Sequence, residues 1–223
     1  VGGDYYGFIP MHDPDDDRGA PARRWAIAIG DVVGKGLPAA LLTARLSAEI
    51  SLFLQDAGDP ADVVTRLNRR LTENGVLDMF ITFLLVMLDV ESHTLHIVNA
   101  GHPAPLVRRR DGTIEEVGRE TSGVPLAIDG SSVYEASLAR LEPGEFVVLY
   151  TDGVPDAMDL SNARYTDSRF RDLLARPHTS PREAGEAVAA DLRAHASGRA
   201  QFDDVTLVAF GRPDVLGGQE TIP

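Results

Sequence analysis

Strands in this chain arrive in runs rather than alternating one for one with helices, and that order narrows the fold more than any other feature. Phe80 to Val90 is an almost unbroken apolar stretch, Thr94 to Val98 alternates, and Leu106 to Arg110 turns at Asp111-Gly112 into Thr113 to Val117, a hairpin signal. Val133 to Leu138, Phe146 to Tyr150 and a last strand, Val205 to Phe210, continue the pattern. Earlier, Trp25 to Ile29 is a short apolar run closed by Gly30-Asp31. The Pro/Asp/Arg-rich stretch His12 to Arg24 before it predicts a strand, a long loop and a strand. Helices are predicted in two blocks. The first holds a helix opening at Leu37-Pro38 and running to Leu54, with Leu42, Leu46, Ile50 and Phe53 at helical spacing. It also holds a helix from Asp59-Pro60 to about Gly75 that carries Val63, Leu67 and Leu71. The second is Ser180 to Ser197, with Ala187, Val188 and Leu192 on its apolar side. This arrangement predicts an α+β fold of antiparallel sheets covered by helices.

With 223 residues and 43% hydrophobic composition the chain can bury a sizeable core, and residues 1–223 are read as one domain. Its 34 acidic against 21 basic residues give a formal charge of -13, which repels nucleic acid and anionic lipid. There is no cysteine, so disulfides, thiolate metal sites and cysteine nucleophiles are excluded. No stretch reaches the roughly 18 apolar residues of a membrane span and no leader pattern is present, so a cytoplasmic location is expected. The chain opens at Val1-Gly2-Gly3-Asp4, already inside a strand end, and is therefore expected to be the C-terminal part of a longer regulatory protein.

Four aspartates stand where an apolar strand meets a turn: Gly3-Asp4, Gly30-Asp31, Thr151-Asp152-Gly153, and Asp203-Asp204 before Val205-Thr206-Leu207. Any one of them has a plainer role as a turn or cap residue beside Gly. Four together at strand ends point to a rigid, all-oxygen site for hard divalent cations, for which Mg2+ or Mn2+ suits better than zinc.

Five ordered words carry a resemblance. They are Val1-Gly2-Gly3-Asp4-Tyr5-Tyr6-Gly7-Phe8, the run from Ile29-Gly30-Asp31-Val32 to Ala40-Leu41, Asn99-Ala100-Gly101-His102-Pro103, Leu149-Tyr150-Thr151-Asp152-Gly153-Val154, and Phe202-Asp203-Asp204-Val205-Thr206-Leu207. The chain resembles the bacterial branch of the type 2C (PPM) serine/threonine protein phosphatases, the sporulation stage II E and RsbU-like group that regulates sigma factors. The resemblance implies a four-layer αββα sandwich with a two-metal cleft at one end of the sheets. It implies that Asp31 bridges two Mn2+ or Mg2+ ions, that Asp152 and Asp203 bind one, that the Val32 backbone carbonyl binds the other, and that Asp4 completes the rim directly or through water. Asp31 and Asp152 would then act through a metal-activated water that attacks phosphoserine or phosphothreonine. The implied substrate is a phosphorylated STAS (anti-anti-sigma) protein. Gly7 departs from the family pattern, which often has a second Asp there and so an outer contact at the site. Asp204 is read as support for its loop.

The remaining features have plainer readings. Asp13 to Asp17 lacks the spacing of a calcium loop and reads as a solvated loop. His93 and His96 alternate along a strand, His102 is expected to shape a turn near the cleft, and Arg108 to Arg110 are left open between an acidic partner and a hairpin tip. The helix beginning just after Val32 is a candidate relay: an upstream sensor domain or a dimer contact pressing on it would move the Val32 carbonyl. Two rivals are retained: a weak binding module of the same fold, and an aspartyl-phosphate hydrolase using Asp152. The second is disfavoured because its Asp-x-Asp-Gly-Thr pattern is absent.

Overall fold

The structure, a computed structural model, describes residues 2–12, 21–55, 58–73, 79–201 and 203–214. Its strands are β1 (Asp4–Met11), β2 (Arg24–Val32), β3 (Ile81–Asp89), β4 (Thr94–Ala100), β5 (Leu106–Arg108), β6 (Ile114–Glu116), β7 (Ala136–Arg140), β8 (Phe146–Tyr150) and β9 (Leu207–Gly211). Its helices are α1 (Leu37–Gln55), α2 (Pro60–Glu73), α3 (Asp167–Leu174) and α4 (Pro181–Ala196). The strands form two antiparallel sheets, ordered β1-β2-β3-β4-β7 and β6-β5-β8-β9.

Successive strand residues face opposite sides of a sheet, and here both sides are covered. On β2 and β3, Ile27, Ile29, Leu84 and Val86 join Val107, Val147, Leu149 and Val208 of the second sheet in a core between the sheets. Their neighbours Ala26, Ala28, Phe83, Leu85 and Met87 pack instead with Leu42, Leu46 and Ile50 of α1 and Val63, Leu67 and Leu71 of α2. On β8, Phe146, Val148 and Tyr150 turn outward to Phe170 and Leu174 of α3 and Val188 and Leu192 of α4. The layers are therefore helix, sheet, sheet, helix, the αββα sandwich expected from the sequence. Central strands buried on two faces have no polar side to show, which is why Phe80 to Val90 reads as one apolar run.

Three expectations shift. The strand predicted over 133–138 begins at Ala136, and Val133 is largely exposed in the loop before it. The last strand starts at Leu207, because Thr206 is engaged in the site described below. Helix α3 was not anticipated. It is two turns long, opens with Thr166 accepting from the Arg169 N–H, and has an apolar face limited to Phe170, Leu173 and Leu174. The run Asp13 to Asp17 and the predicted end of α2 at Gly75 lie outside the described residues.

α1 is the one described helix with the length and apolarity of a membrane span, contrary to the sequence expectation. Its Leu42, Leu46, Ile50 and Leu54 are buried against the first sheet, while Leu37, Leu41 and Leu52 stand exposed.

Candidate metal centre

Strand register gathers the acids at one end of both sheets. In the first sheet Asp4 lies directly opposite Asp31 across the β1–β2 ladder, and Asp31 lies opposite Thr82 on β3. In the second, Asp152 follows the end of β8 and Asp203-Asp204 precede β9, with the Thr151 N–H bonded to the Thr206 carbonyl at 3.1 Å. Like charges directly opposite on neighbouring strands destabilise a sheet. The Asp31 carboxyl is pushed up to about 7, first by burial and then by the charges of Asp4, Asp152, Asp203 and Asp204. Asp152 is also raised, by burial and then by Asp203 and Asp156. Among the described residues no donor hydrogen-bonds to the Asp31 carboxylate. A half-buried carboxylate without a donor among the described residues, repelled by the charges around it, is an oxygen ligand suited to a cation.

The backbone supplies a further oxygen. A side-chain carbon at Gly3 would lie 3.2 Å from the Val32 carbonyl oxygen and 3.3 Å from Asp31 Oδ1, so glycine leaves open a niche toward which both oxygens point. All donors here are oxygens, the preference of Mg2+ and Mn2+, and the residues present fit such ions. No three His, Asp or Glu side chains among the described residues are close enough to grip one cation unaided. The centre is an open rim, a shape suited to ions that keep several of their waters.

Threonines, which the sequence did not single out, hold the rim together. Asp4 Oδ2 accepts from Thr151 Oγ1 at 2.9 Å and from Thr206 Oγ1 at 2.6 Å, tying the first sheet to the second. These two bonds oppose the upward push of burial on the Asp4 carboxyl without cancelling it. Thr43 of α1 donates to the Gly3 carbonyl at 3.2 Å. Asp204 Oδ2 accepts from the Gly2 and Gly3 N–H groups at 3.1 and 2.9 Å, so Asp204 supports the loop, as the sequence suggested, and faces the backbone instead of the rim. Replacing Thr206 by the isosteric Val removes the shorter hydroxyl from Asp4. The expected result is a roughly 10-fold or larger loss of Mn2+ affinity by calorimetry, with a stability change of only about 1 kcal/mol.

His102 does shape its turn and does more besides. Its N–H donates to Asn99 Oδ1 at 2.8 Å while Asn99 Nδ2 donates to the His102 carbonyl at 3.0 Å. Its ring Nδ1 meets the Thr82 hydroxyl at 2.9 Å, beside Asp31, and burial holds the imidazole neutral by lowering it to about 4. Gly7 faces away from Asp4, on the helix side of β1, and the Tyr5 hydroxyl lies 2.5 Å from where its side chain would begin. An acid at that position therefore would not share the face of Asp4. Arg108 to Arg110 prove structural: Arg108 is buried and donates to the Leu174 carbonyl, Arg109 pairs with Glu115 and Glu145, and Arg110 pairs with Asp214.

Two sheets between two helical layers, with acids collected at one sheet end, are the architecture of a PP2C domain. The SiaA-PP2C domain of Pseudomonas aeruginosa matches with a TM-score of 0.77 at 25% identity, covering 95% of this chain and 81% of that one. The chain belongs to the SpoIIE family: the family model described as stage II sporulation protein E matches residues 21–213. Protein IcfG of Synechocystis is 26% identical over 239 residues, covering 95% of this chain and 36% of IcfG. Phosphoserine phosphatase RsbU of Bacillus subtilis is 30% identical over 157 residues, covering 70% of this chain and 43% of RsbU. The chain thus spans less than half the length of these curated relatives.

Proposed function

We propose that this domain is a metal-dependent protein phosphatase that hydrolyses phosphoserine or phosphothreonine, and that its substrate is a STAS-type anti-anti-sigma protein. The convergence of Asp31 Oδ1 and the Val32 carbonyl on the Gly3 niche, facing Asp152 and Asp203, carries the reading. Family membership and the phosphoserine phosphatase RsbU among the relatives support it.

On this reading Asp31, the Val32 carbonyl, Asp152 and Asp203 would hold two Mn2+ or Mg2+ ions. The chemistry supplied when they are bound is a water acidic enough to attack phosphorus and positive charge for the phosphoryl oxygens. Asp4, fixed by Thr151 and Thr206, orients the water around the rim. Asp31 keeps the centre charged only when ionised, and burial first and its like-charged neighbours second favour the neutral acid in the absence of a cation. Metal binding is therefore expected to release a proton near neutral pH. No side chain serves as nucleophile, in keeping with a chain that has no cysteine. The domain works in the cytoplasm, as the catalytic part of a longer regulatory protein. An upstream sensor domain or a second copy acts on α1, whose exposed Leu37 and Leu41 lie just past the Val32 loop.

The test is Mn2+-dependent release of phosphate from a phosphorylated STAS protein. The wild type is expected to turn over, and Asp31→Ala and Asp152→Asn to fall by at least about 1000-fold. Stoichiometric binding of that protein without metal-dependent release would instead establish the binding-module rival.

A further inference from the structure

Beside the metal centre lies a groove of about 1150 Å3 lined by α4, by Leu207 and Ala209 of β9, and by residues 198–201, Asp203 and Val205. It is larger than the cavities that usually hold a small ligand, which run to roughly 1,000 Å3. Its lining includes Gly153 and Asp203, residues of the metal centre's own loops, together with residues along α4 from Pro181 to Ala196. Its apolar lining comes from Val188 and Leu192 of α4 and from Val205 and Leu207 on the opposite side, and Val205 is 38% exposed.

Arg182 and Arg193 also line it. They are eleven residues apart on α4, three turns, and so share one side of the helix about 16 Å apart. Both are exposed, and neither has a described carboxylate within ion-pair distance. Elsewhere Arg109, Arg169 and Arg171 are taken up by acids. Of the groove's acids, Asp156 is paired with Arg164, Asp203 belongs to the metal centre, and Glu186 stands on α4 one turn from Arg182. Away from the metal centre, Arg182, Arg193 and Arg199 therefore face one acid that is unpaired among the described residues, and positive charge is in excess.

We infer that this groove docks a segment of the phosphoprotein substrate, acidic along one side and apolar along the other, while the phosphate on the same protein enters the metal centre. The inference rests on the phosphatase reading and adds the substrate's recognition surface. A partner's Asp or Glu residues would meet Arg182 and Arg193, and its apolar side chains would cover Val205 and Leu207. Attraction between opposite charges would raise the encounter rate and select acidic partners over basic ones.

The experiment uses three phosphoserine peptides that share an apolar residue and differ in Glu, Gln or Lys flanks, with p-nitrophenyl phosphate as a substrate too small to reach the groove. The wild type should prefer the Glu-flanked peptide. Arg182→Glu combined with Arg193→Glu should raise KM for that peptide at least about 10-fold and leave p-nitrophenyl phosphate turnover unchanged. Ala189→Trp, which fills the groove without altering charge, should do the same. Equal kinetics of wild type and both variants on every peptide would overturn the docking assignment. If the wild type hydrolyses neither peptide nor p-nitrophenyl phosphate, the phosphatase reading fails. Fluorescence anisotropy with the labelled Glu-flanked peptide then decides docking: a 10-fold weaker Kd in the double variant upholds it, and an unchanged Kd overturns it.

Discussion

Asp31→Asn is expected to abolish metal-dependent phosphatase turnover, by at least about 1000-fold, and at the same time to make the metal-free protein more stable at pH 8. The two effects share one cause. Asp31 is half-buried directly across the ladder from Asp4 and feels the charges of Asp152, Asp203 and Asp204, so its carboxyl is raised to about 7 against an ordinary 3.8. A folded-state value above the unfolded one means that the native state holds the proton more tightly. Stability of the metal-free protein is then intact below about pH 4 as far as this group is concerned, and it declines as pH rises towards 7. Asparagine keeps the shape and removes the charge, so that decline should vanish. Because part of the residue remains in solvent, the gain at pH 8 is set at roughly 1 to 2 kcal/mol. For a chain of this size that is a rise of about 3 to 6 °C in melting temperature. Saturating Mn2+ should stabilise the wild type and leave Asp31→Asn nearly unmoved. Differential scanning calorimetry of both proteins at pH 5 and pH 8, with and without Mn2+, checks every sign. A destabilised, pH-insensitive Asp31→Asn would mean that Asp31 is a structural residue.

That pairing of repulsion and function explains which parts of the molecule could be read from sequence. The layers could be read because they follow from burial. Ile27 and Ile29 face one core and Ala26 and Ala28 another, so β2 is apolar throughout, and the same holds for β3 and β8. A single acid ending such a strand has a plainer role in its turn, but several of them at strand ends point together to a site, and Asp31 and Asp152 belong to that set. α3 gave no comparable signal, since eight residues with three apolar positions are too few for a period to appear above its polar neighbours. The threonines were hidden for a different reason. Thr151 and Thr206 are ordinary strand residues in sequence, and only the packing of one sheet on the other brings them to Asp4, 147 and 202 residues away. Likewise Gly7 invited concern as a missing acid, and only the alternation of β1 shows that its side faces the helices.

Gly153→Ala is expected to be the most damaging single-methyl change in the site. A side-chain carbon at Gly153 would lie 2.0 Å from the Asp204 carbonyl oxygen and 3.0 Å from its carbonyl carbon, both backbone atoms with no rotamer to give way. The turn after β8 and the loop before β9 would have to separate by about an ångström to reach ordinary contact. That junction carries Asp152 on one side and Asp203 on the other, and it is closed by the Thr151 N–H to Thr206 carbonyl bond and by the Thr206 N–H to Thr151 Oγ1 bond at 3.0 Å. Overpacking of this kind costs about 1 to 3 kcal/mol. An ångström of misplacement in a reacting centre costs on the order of 100-fold in rate. The expected outcome is a folded protein melting about 5 °C lower, with turnover of p-nitrophenyl phosphate reduced at least 100-fold and Mn2+ affinity weakened. The loss should fall on both small and protein substrates, which separates it from the groove variants, where p-nitrophenyl phosphate is spared. Wild-type turnover in Gly153→Ala would show that the distance between Asp152 and Asp203 is not what sets the rate, and would remove these two acids from the working core of the centre.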